Sequence, residues 1–350
     1  MKSKLENLIG QMIIAGFRGD TVNEHSAIVE YIKNYNLAGV ILYDEDLEIG
    51  GNGSRNISSP SQVKQLLKDL KHFSNKNDLL VSIDQEGGEV CRLKSIYGFN
   101  DTPSWKKVGL FNNELITQQF SDRLAEELSD LGINLNFAPV LDLYYGEKTV
   151  IGNSQRAFCS DPKLLTKHAE IFINAHKKRN IISCGKHFPG QGSAHGDTHE
   201  GLTDITKTWS VKDMLPFDKI IQKGLLDMIM VSHTIDKKID PNNPASLSKT
   251  IITEMLRNDL GFEGIVICDD PSMRAISDNY SLFETFKLML DAGVDLFCLG
   301  NNLIYDPDYI LKAIKAISKI IDHDKSYEKK VMMSIERIEH VKSLYNINVG

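Results

Sequence analysis

The sequence predicts an α/β protein folded as a single (β/α)8 barrel of the TIM type, with room for an irregular strand. Eight short apolar runs alternate with longer amphipathic segments along the 350 residues. Most of these runs are continuously apolar, which is typical of parallel strands buried on both faces. Ionisable residues also recur where the runs end. A doubly wound open sheet has the same alternation and is the alternative fold.

The apolar runs define the predicted strands, each five to seven residues long. Their bounds are Gln11–Phe17, Gly39–Tyr43, Leu79–Asp84, Asn134–Pro139, Ile181–Lys186, Met228–His233, Gly264–Asp269 and Asp295–Gly300. After the second strand comes a polar stretch, Glu48–Ser59, which we interpret as a rim loop or a mobile lid. No linker or low-complexity segment divides the chain, so we predict one domain over residues 1–350.

The predicted helices have recognisable first residues. Ser59 before Pro60, and Asp161 before Pro162, are each an N-cap residue followed by proline at the first helical position. Ser248 precedes KTIITEMLRNDL, which a glycine ends. The other predicted helices are Glu114–Leu131, Val211–Gly224, Leu282–Ala292, Tyr309–Ile321 and a C-terminal helix at about Tyr327–Tyr345.

Composition excludes some functions and indicates a compartment. The net charge of −7 argues against a general nucleic-acid binder. The five cysteines are scattered, odd in number and without a CxxC motif, which indicates reduced thiols in a cytoplasmic protein. The apolar run near the start is too short for a signal peptide or a membrane span, so we expect no membrane partner.

Titratable residues end or follow five of the eight predicted strands. They are Asp84, Asp142, the pair Lys186 and His187, His233, and the pair Asp269 and Asp270. Each alone is also explained as a helix N-cap or a loop charge. In a (β/α)8 barrel, however, the loops after the strands build the active face, so we expect these groups to converge there. Such a set of charges suits a polyhydroxylated substrate.

The stretch Cys184–Leu202, CGKHFPGQGSAHGDTHEGL, combines many titratable groups with five glycines and a proline. It predicts a catalytic loop at about residues 187–202. Three interpretations are open: a polar surface loop, a metal site in which His195, Asp197 and His199 alternate as ligands, and a dyad in which Asp197 orients His199. Residues two apart in an extended segment point the same way, so Asp197 and His199 could touch.

KHFPGQG followed by DTH resembles the KHFPGHG…DSH signature of bacterial β-N-acetylglucosaminidases of glycoside hydrolase family 3. SIDQEGGEVCRL, FAPVLDL, the RAF of IGNSQRAF and GIVICDDPSM are similar to further segments of that family. The chain departs from the family at Gln191, usually histidine, at Pro271, usually leucine, and by extra residues before Arg156.

The resemblance implies a role for each matching residue. Asp269 would be the nucleophile, and His199 the acid/base supported by Asp197. The substrate-binding residues it implies are Asp84, Arg92, Arg156, Lys186 and His187. An imidazole suits the acid/base role because its ordinary pKa, about 6.5, lies close to working pH.

The resemblance also implies a function: an exo-acting retaining glycosidase that removes β-linked N-acetylglucosamine from peptidoglycan-derived muropeptides through a covalent glycosyl-enzyme. We expect a cytoplasmic monomer without a metal or cofactor, of the peptidoglycan-recycling type. A phosphorylase of the same family is the alternative within the class. The rivals from other classes are a binding-only barrel and a metal-dependent barrel hydrolase using His187, His195, Asp197 and His199.

Overall fold

A computed structural model describes residues 4–74 and 78–347, and in it eight parallel strands close into a barrel. Their bounds are β1 Ile13–Gly16, β2 Gly39–Leu42, β3 Leu80–Ile83, β4 Leu135–Asn136, β5 Ile182–Phe188, β6 Met228–Val231, β7 Ile265–Cys268 and β8 Leu296–Leu299. The predicted barrel is therefore confirmed.

The barrel closes where β1 pairs with both of its neighbours. Ile14 lies opposite Gly39 of β2, and Ile13 lies opposite Phe297 of β8. Because no edge is left open at this seam, the doubly wound alternative is wrong. Every residue of the eight barrel strands is buried, as expected for parallel strands with side chains on one face and helices on the other.

The helices surround the barrel and follow the predicted pattern with small shifts at their ends. Their bounds are α1 Lys4–Gly10, α2 Ala27–Tyr35, α3 Pro60–Phe73, α4 Trp105–Phe111, α5 Glu114–Leu131, α6 Val150–Asn153, α7 Pro162–Lys177, α8 Val211–Gln222, a wide π-type helix Thr250–Asp259, α9 Arg274–Ser277, α10 Leu282–Ala292, α11 Tyr309–His323 and α12 Ser326–Leu344. The sequence reasoning missed α1, α2 and α4 and the two single-turn helices α6 and α9.

The predicted N-caps explain where two of these helices begin. The Ser59 hydroxyl accepts the Gln62 backbone N–H at 3.2 Å, and the Asp161 carboxylate accepts the N–H groups of Lys163 and Leu164. These bonds satisfy backbone donors that the first helical turn leaves free.

Strand β4 is the irregular strand, because only two of the six predicted residues are paired in the barrel. Two small sheets add to the carboxyl end: an antiparallel arm of Gln85–Gly87 with Val90–Cys91, and Thr203–Asp204 beside Thr234–Ile235. Strand β5 continues to Phe188, so the loop predicted from residue 187 begins two residues later. Across the described part of the chain, no helix is both long and apolar enough to cross a bilayer.

Candidate active site

One pocket lies at the carboxyl end of the barrel, and all eight residues to which the resemblance assigns a catalytic or substrate-binding role line it. They are Asp84, Arg92, Arg156, Lys186, His187, Asp197, His199 and Asp269. They come from the ends of β3, β5 and β7 and from the loops that follow β3, β4 and β5. The convergence expected at the strand ends is therefore present for Asp84, Lys186, His187, Asp269 and Asp270. It is wrong for Asp142 and His233, which are buried outside the lining, His233 between Ser246 and the Asp270 carbonyl.

Asp269 and Asp270 follow β7 directly and have different surroundings. The Asp270 N–H donates to Asp269 Oδ1 at 2.9 Å. Burial raises the pKa of Asp269, but the positive charge of nearby histidines outweighs burial, and its pKa lies below the ordinary value. Burial raises the pKa of Asp270 to about 6. Asp269 is thus the carboxylate of the pair that stays ionised when the pH falls below about 6.

Asp197 and His199 form the predicted contact, with 2.7 Å between Asp197 Oδ1 and His199 Nδ1. The predicted geometry was wrong, because the segment is a turn and not an extended strand. The same carboxylate oxygen accepts the His199 backbone N–H at 2.9 Å, which is the short-range bond of an Asx turn. Since the Asp197 carboxylate holds Nδ1–H, proton exchange with a substrate falls to Nε2 of His199.

The hydrogen bond that His199 donates to Asp197 is the largest influence on the His199 pKa and raises it above the ordinary value. The charge of nearby Asp269 raises this pKa further. A backbone bond also joins this loop to the segment that follows Asp269. The Thr198 carbonyl accepts the Ala275 N–H of α9 at 3.2 Å. The imidazole and the Asp269 carboxylate are therefore held on two loops that are bonded to each other.

A buried charge cluster occupies another part of the pocket. Lys186 Nζ lies 2.7 Å from Asp84 and 2.6 Å from Glu86, and Arg156 forms two parallel 2.8 Å bonds with Glu86. Burial disfavours the charge of Lys186, but the carboxylates prevail and its pKa is raised. Glu86 was missed by the sequence reasoning. Its signal was the spacing, because residues 84 and 86 of an extended arm point to the same side.

Arg156 reaches this cluster through the extra residues that set IGNSQRAF apart from the family pattern. They follow the single-turn helix α6, which Thr149 caps, and include a left-handed residue at Gln155 with φ 55°. The Arg156 N–H then donates back to the Ile151 carbonyl at 3.0 Å. The insertion thus folds into a compact turn, and the guanidinium still enters the pocket.

His187 is buried with both ring nitrogens in contact with partners. Nδ1 lies 2.6 Å from Asp142 Oδ2, and the Arg156 guanidinium donates to Nε2 at 3.2 Å. These partners place the proton on Nδ1. Asp142 also accepts the Gln191 N–H at 2.6 Å. Asp142, which the sequence showed only as a strand-end charge, therefore positions both His187 and the start of the catalytic loop.

Arg92 lines the pocket near two carboxylates, 3.8 Å from Asp84 and 3.9 Å from Asp44. Lys94 pairs with Asp44 from the other side. The Arg92 guanidinium is thus attracted to both carboxylates. Because these distances are longer than hydrogen bonds, its N–H donors remain able to bind a ligand.

His195 turns away from the dyad, since its Nδ1 lies 3.1 Å from the Lys148 carbonyl. Within residues 4–74 and 78–347, no three His, Cys, Asp or Glu side chains are grouped as a metal site would require. His187 bonds Asp142, and Asp197 and His199 bond each other, so the four residues of the metal-dependent alternative are not grouped around one point.

The pocket of this barrel contains an ionised carboxylate, an Asp–His pair and a cluster of buried charges. This arrangement is typical of a sugar-processing hydrolase of the (β/α)8 class. The chain belongs to glycosyl hydrolase family 3, because the family's N terminal domain matches residues 4–341. The Beta-hexosaminidase of Hydrogenovibrio crunogenus is 34% identical over 312 residues, which cover 85% of this chain and 82% of that protein. The Beta-hexosaminidase of Psychromonas ingrahamii is 36% identical over 274 residues, 76% of each chain.

Solved structures agree with this assignment. A family 3 beta-N-acetylglucosaminidase from Paenibacillus has a TM-score of 0.88 and 27% identity, and it covers 100% of this chain. This chain spans only 64% of that protein's length. Zinc-bound CbsA from Thermotoga neapolitana has a TM-score of 0.81 and 28% identity over 97% of this chain and 68% of its own. The predicted enzyme class, a glycoside hydrolase of the β-N-acetylhexosaminidase type, is confirmed by these matches.

Proposed function

We propose that this enzyme is an exo-acting retaining β-N-acetylglucosaminidase, with Asp269 as nucleophile and His199, oriented by Asp197, as acid/base. The observation that carries the proposal is the 2.7 Å bond between Asp197 and His199 in the pocket that also contains Asp269. The depressed pKa of Asp269 favours its ionised form and the raised pKa of His199 favours its protonated form, in the direction that the two roles require.

The proposed reaction has two steps. In the first, an Asp269 oxygen bonds to the anomeric carbon while the bond to the aglycone oxygen breaks, and His199 Nε2 gives its proton to that oxygen. In the second, His199 takes a proton from water as the water oxygen bonds to the anomeric carbon and Asp269 leaves. The imidazole serves as acid and then as base, and two inversions retain the anomeric configuration.

Substrate contacts are assigned to the charged lining of the pocket. Carboxylate acceptors such as Asp84 and forked donors such as Arg92 and Arg156 match the hydroxyl groups of a sugar. Lys186 and His187 complete the proposed set. Because Lys186 and Arg156 already bond carboxylates, their positions are fixed before a sugar arrives.

The proposed substrate is N-acetylglucosamine β-linked to an anhydro-muramic acid, with or without peptide, in peptidoglycan recycling. The names of the hexosaminidase relatives and the KHFPGQG…DTH resemblance support it. The five cysteines are free thiols, which supports the proposed cytoplasmic location. We further propose that the enzyme acts as a monomer without a cofactor.

A 5-fluoro N-acetylglucosaminide tests the mechanism, because it slows breakdown of the glycosyl-enzyme. It should add one sugar to the protein, and peptide mass spectrometry should find the sugar on Asp269, with Asp269→Asn as the unlabelled control. A label on Asp270 would show that the neighbouring carboxylate is the nucleophile. No label, together with strong inhibition by a thiazoline, would indicate attack by the substrate's own acetamide.

Two further measurements separate the alternatives. Turnover that depends on phosphate and yields a sugar phosphate would identify a phosphorylase instead of a hydrolase. The proposed chemistry uses no metal, so exhaustive EDTA treatment should leave turnover unchanged. Activity lost to EDTA and restored by Zn²⁺ would revive the metal-dependent alternative, a pertinent comparison because one solved relative is zinc-bound.

A further inference from the structure

One side of the pocket is built by the loops that follow β2 and β8. Glu45 and Leu47 from the first loop and Asn302 and Leu303 from the second line the pocket. Asn302 Nδ2 donates to the Glu45 carbonyl at 3.1 Å, and the Leu47 N–H donates to Asn302 Oδ1 at 3.4 Å. These four residues are therefore one bonded surface, which we call the β2–β8 wall.

A buried arginine fixes the β2–β8 wall from behind. The side chain of Arg55 is 0% exposed, and its NH1 group donates to Asn302 Oδ1 at 2.7 Å and to Asp46 Oδ2 at 3.0 Å. Arg18 holds Asp46 at 2.7 Å and Glu48 at 2.6 Å from the outside. The wall is thus formed before any ligand binds, which reduces the entropy lost on binding.

The mouth of the pocket lies between this wall and the catalytic loop. Among the described lining residues, Leu47 and His199 are the two that are exposed, Leu47 by 55% and the His199 side chain by 55%. In the proposed reaction His199 protonates the oxygen that joins the sugar to its aglycone. We therefore place the aglycone at the mouth, which His199 and Leu47 both line.

The β2–β8 wall combines an apolar surface with one uncompensated negative charge. Leu47 and Leu303 provide the apolar surface, and Ile304 next along the chain is 76% exposed. Asp46 is neutralised by two arginines, whereas Glu45 receives the Gly51 N–H at 3.3 Å and forms none of the ion pairs found among the described residues. A ligand at the mouth thus meets a carboxylate beside an apolar surface.

We propose that the β2–β8 wall is the aglycone subsite and that Glu45 makes it selective for aglycones with an apolar face and no carboxylate near the scissile bond. The inference rests on the proposed function and sharpens it. A muramyl aglycone whose lactyl carboxyl is amidated, as by a peptide, is the better substrate, and the same aglycone with a free carboxylate is repelled.

The test compares two disaccharides that differ in one group: N-acetylglucosaminyl anhydro-muramic acid and its lactyl methylamide. For the wild type, kcat/KM should favour the amide by about fivefold to tenfold at low ionic strength, from repulsion between two charges several ångströms apart. The preference should shrink as salt is added. In Glu45→Gln the ratio should fall close to one, because the disaccharide with the free carboxylate is no longer repelled and reacts faster.

Glu89→Gln is the matched control, since Glu89 is an exposed acid in the arm after β3 and outside the pocket lining, and it should leave the ratio as in the wild type. In Leu47→Ala, kcat/KM should fall several-fold more for the methylamide than for N-acetylglucosaminyl fluoride, whose leaving group has no apolar surface.

A wild-type ratio near one, or a ratio that Glu45→Gln does not change, would overturn the inference while leaving the glycosidase proposal intact. Failure of the wild type to cleave both disaccharides and the fluoride would instead overturn the proposed function.

Discussion

At the scale of single residues, Asp197 orients His199, because its Oδ1 accepts both the backbone N–H and the Nδ1–H of that residue. One carboxylate oxygen thereby fixes the turn and the imidazole orientation together. The Asp197 pKa is lowered, chiefly by the bond from the His199 side chain, so the carboxylate stays ionised while the imidazole titrates. Asp197 is therefore a positioning residue whose effect is exerted through His199.

Replacing His199 with alanine should reduce turnover by about 10²- to 10⁴-fold on substrates with poor leaving groups, because these need a proton at the departing oxygen. Glycosides with good leaving groups need little acid assistance and should lose much less in this step. The measurement is kcat/KM across aryl N-acetylglucosaminides of graded leaving-group pKa, which should give a steeper slope for the variant. His195→Ala is the control, since His195 bonds a loop carbonyl outside the dyad. Equal losses on every substrate would argue against His199 as the acid.

Asp270 should make the protein less stable as pH rises, the opposite of the usual effect of a carboxylate. Its pKa is raised to about 6 by burial, so the folded protein binds this proton more tightly than the unfolded chain does. The free energy of unfolding should therefore fall between about pH 4 and pH 6, by about 3 kcal/mol from this group.

Chemical denaturation of the wild type and Asp270→Asn at pH 4.5 and pH 7.5 isolates this contribution, because the other groups titrate in both proteins. The wild type should lose more stability between the two pH values than the variant does. Equal losses would mean that Asp270 is already ionised at pH 4.5.

At the scale of single elements, the arm Gln85–Gly87 and Val90–Cys91 positions the charge cluster of the pocket. The Gln85 side chain accepts the N–H groups of Arg92 and Leu93 at 2.9 and 3.0 Å, which closes the arm on itself. Gly87 has φ 101°, and a Cβ there would lie 2.2 Å from the Pro103 carbonyl oxygen. The arm is thus tightly constrained, and it presents Glu86 to Lys186 and Arg156.

Glu86→Gln should lower the free energy of unfolding by about 3 kcal/mol, because it removes one partner from a buried ion-pair network and leaves the Arg156 charge without its carboxylate. Burial opposes the charge of Glu86, but the two cations hold its pKa well below the usual range, so the carboxylate is ionised over the whole physiological range. Urea denaturation at pH 7 measures the effect, and the exposed Glu89→Gln should change stability by about 0.5 kcal/mol or less. A Glu86→Gln variant as stable as this control would show that Arg156 is held by other groups.

At the scale of the whole molecule, the barrel and the residues that line its pocket could be predicted from the sequence. Many of the contacts that hold those residues in place could not. Continuous apolar runs, and the charges at their ends, are visible in a single sequence. The eight strands and the convergence of their ends could therefore be predicted. Glu86 was missed although its spacing from Asp84 indicated it. The wall fixed by Arg55 could not be predicted, because its partners are distant in sequence: Arg55 bonds Asn302, 247 positions away. The shortness of β4 was also hidden, since Asn134–Pro139 is apolar enough for a longer strand.

The seam that closes the barrel gives a final prediction. A Cβ added at Gly16, the last residue of β1, would lie 1.8 Å from the carbonyl oxygen of Gly300, just after β8. No side-chain rotation relieves a clash with backbone, so Gly16→Ala must move β1 away from β8 and should destabilise the protein by about 3 kcal/mol. Gly201→Ala is the control, because no atom lies within 4 Å of its added Cβ.

The same clash should reach the active site, because the Gly300 carbonyl also accepts a bond from Arg55 at 3.3 Å, and Arg55 holds the pocket wall that contains Asn302. Gly16→Ala should therefore raise KM for disaccharides at temperatures where circular dichroism shows the protein still folded. Unchanged KM in a destabilised variant would mean that the seam and the wall move independently. Unchanged stability would mean that the barrel can widen at the seam without loss of strand pairing.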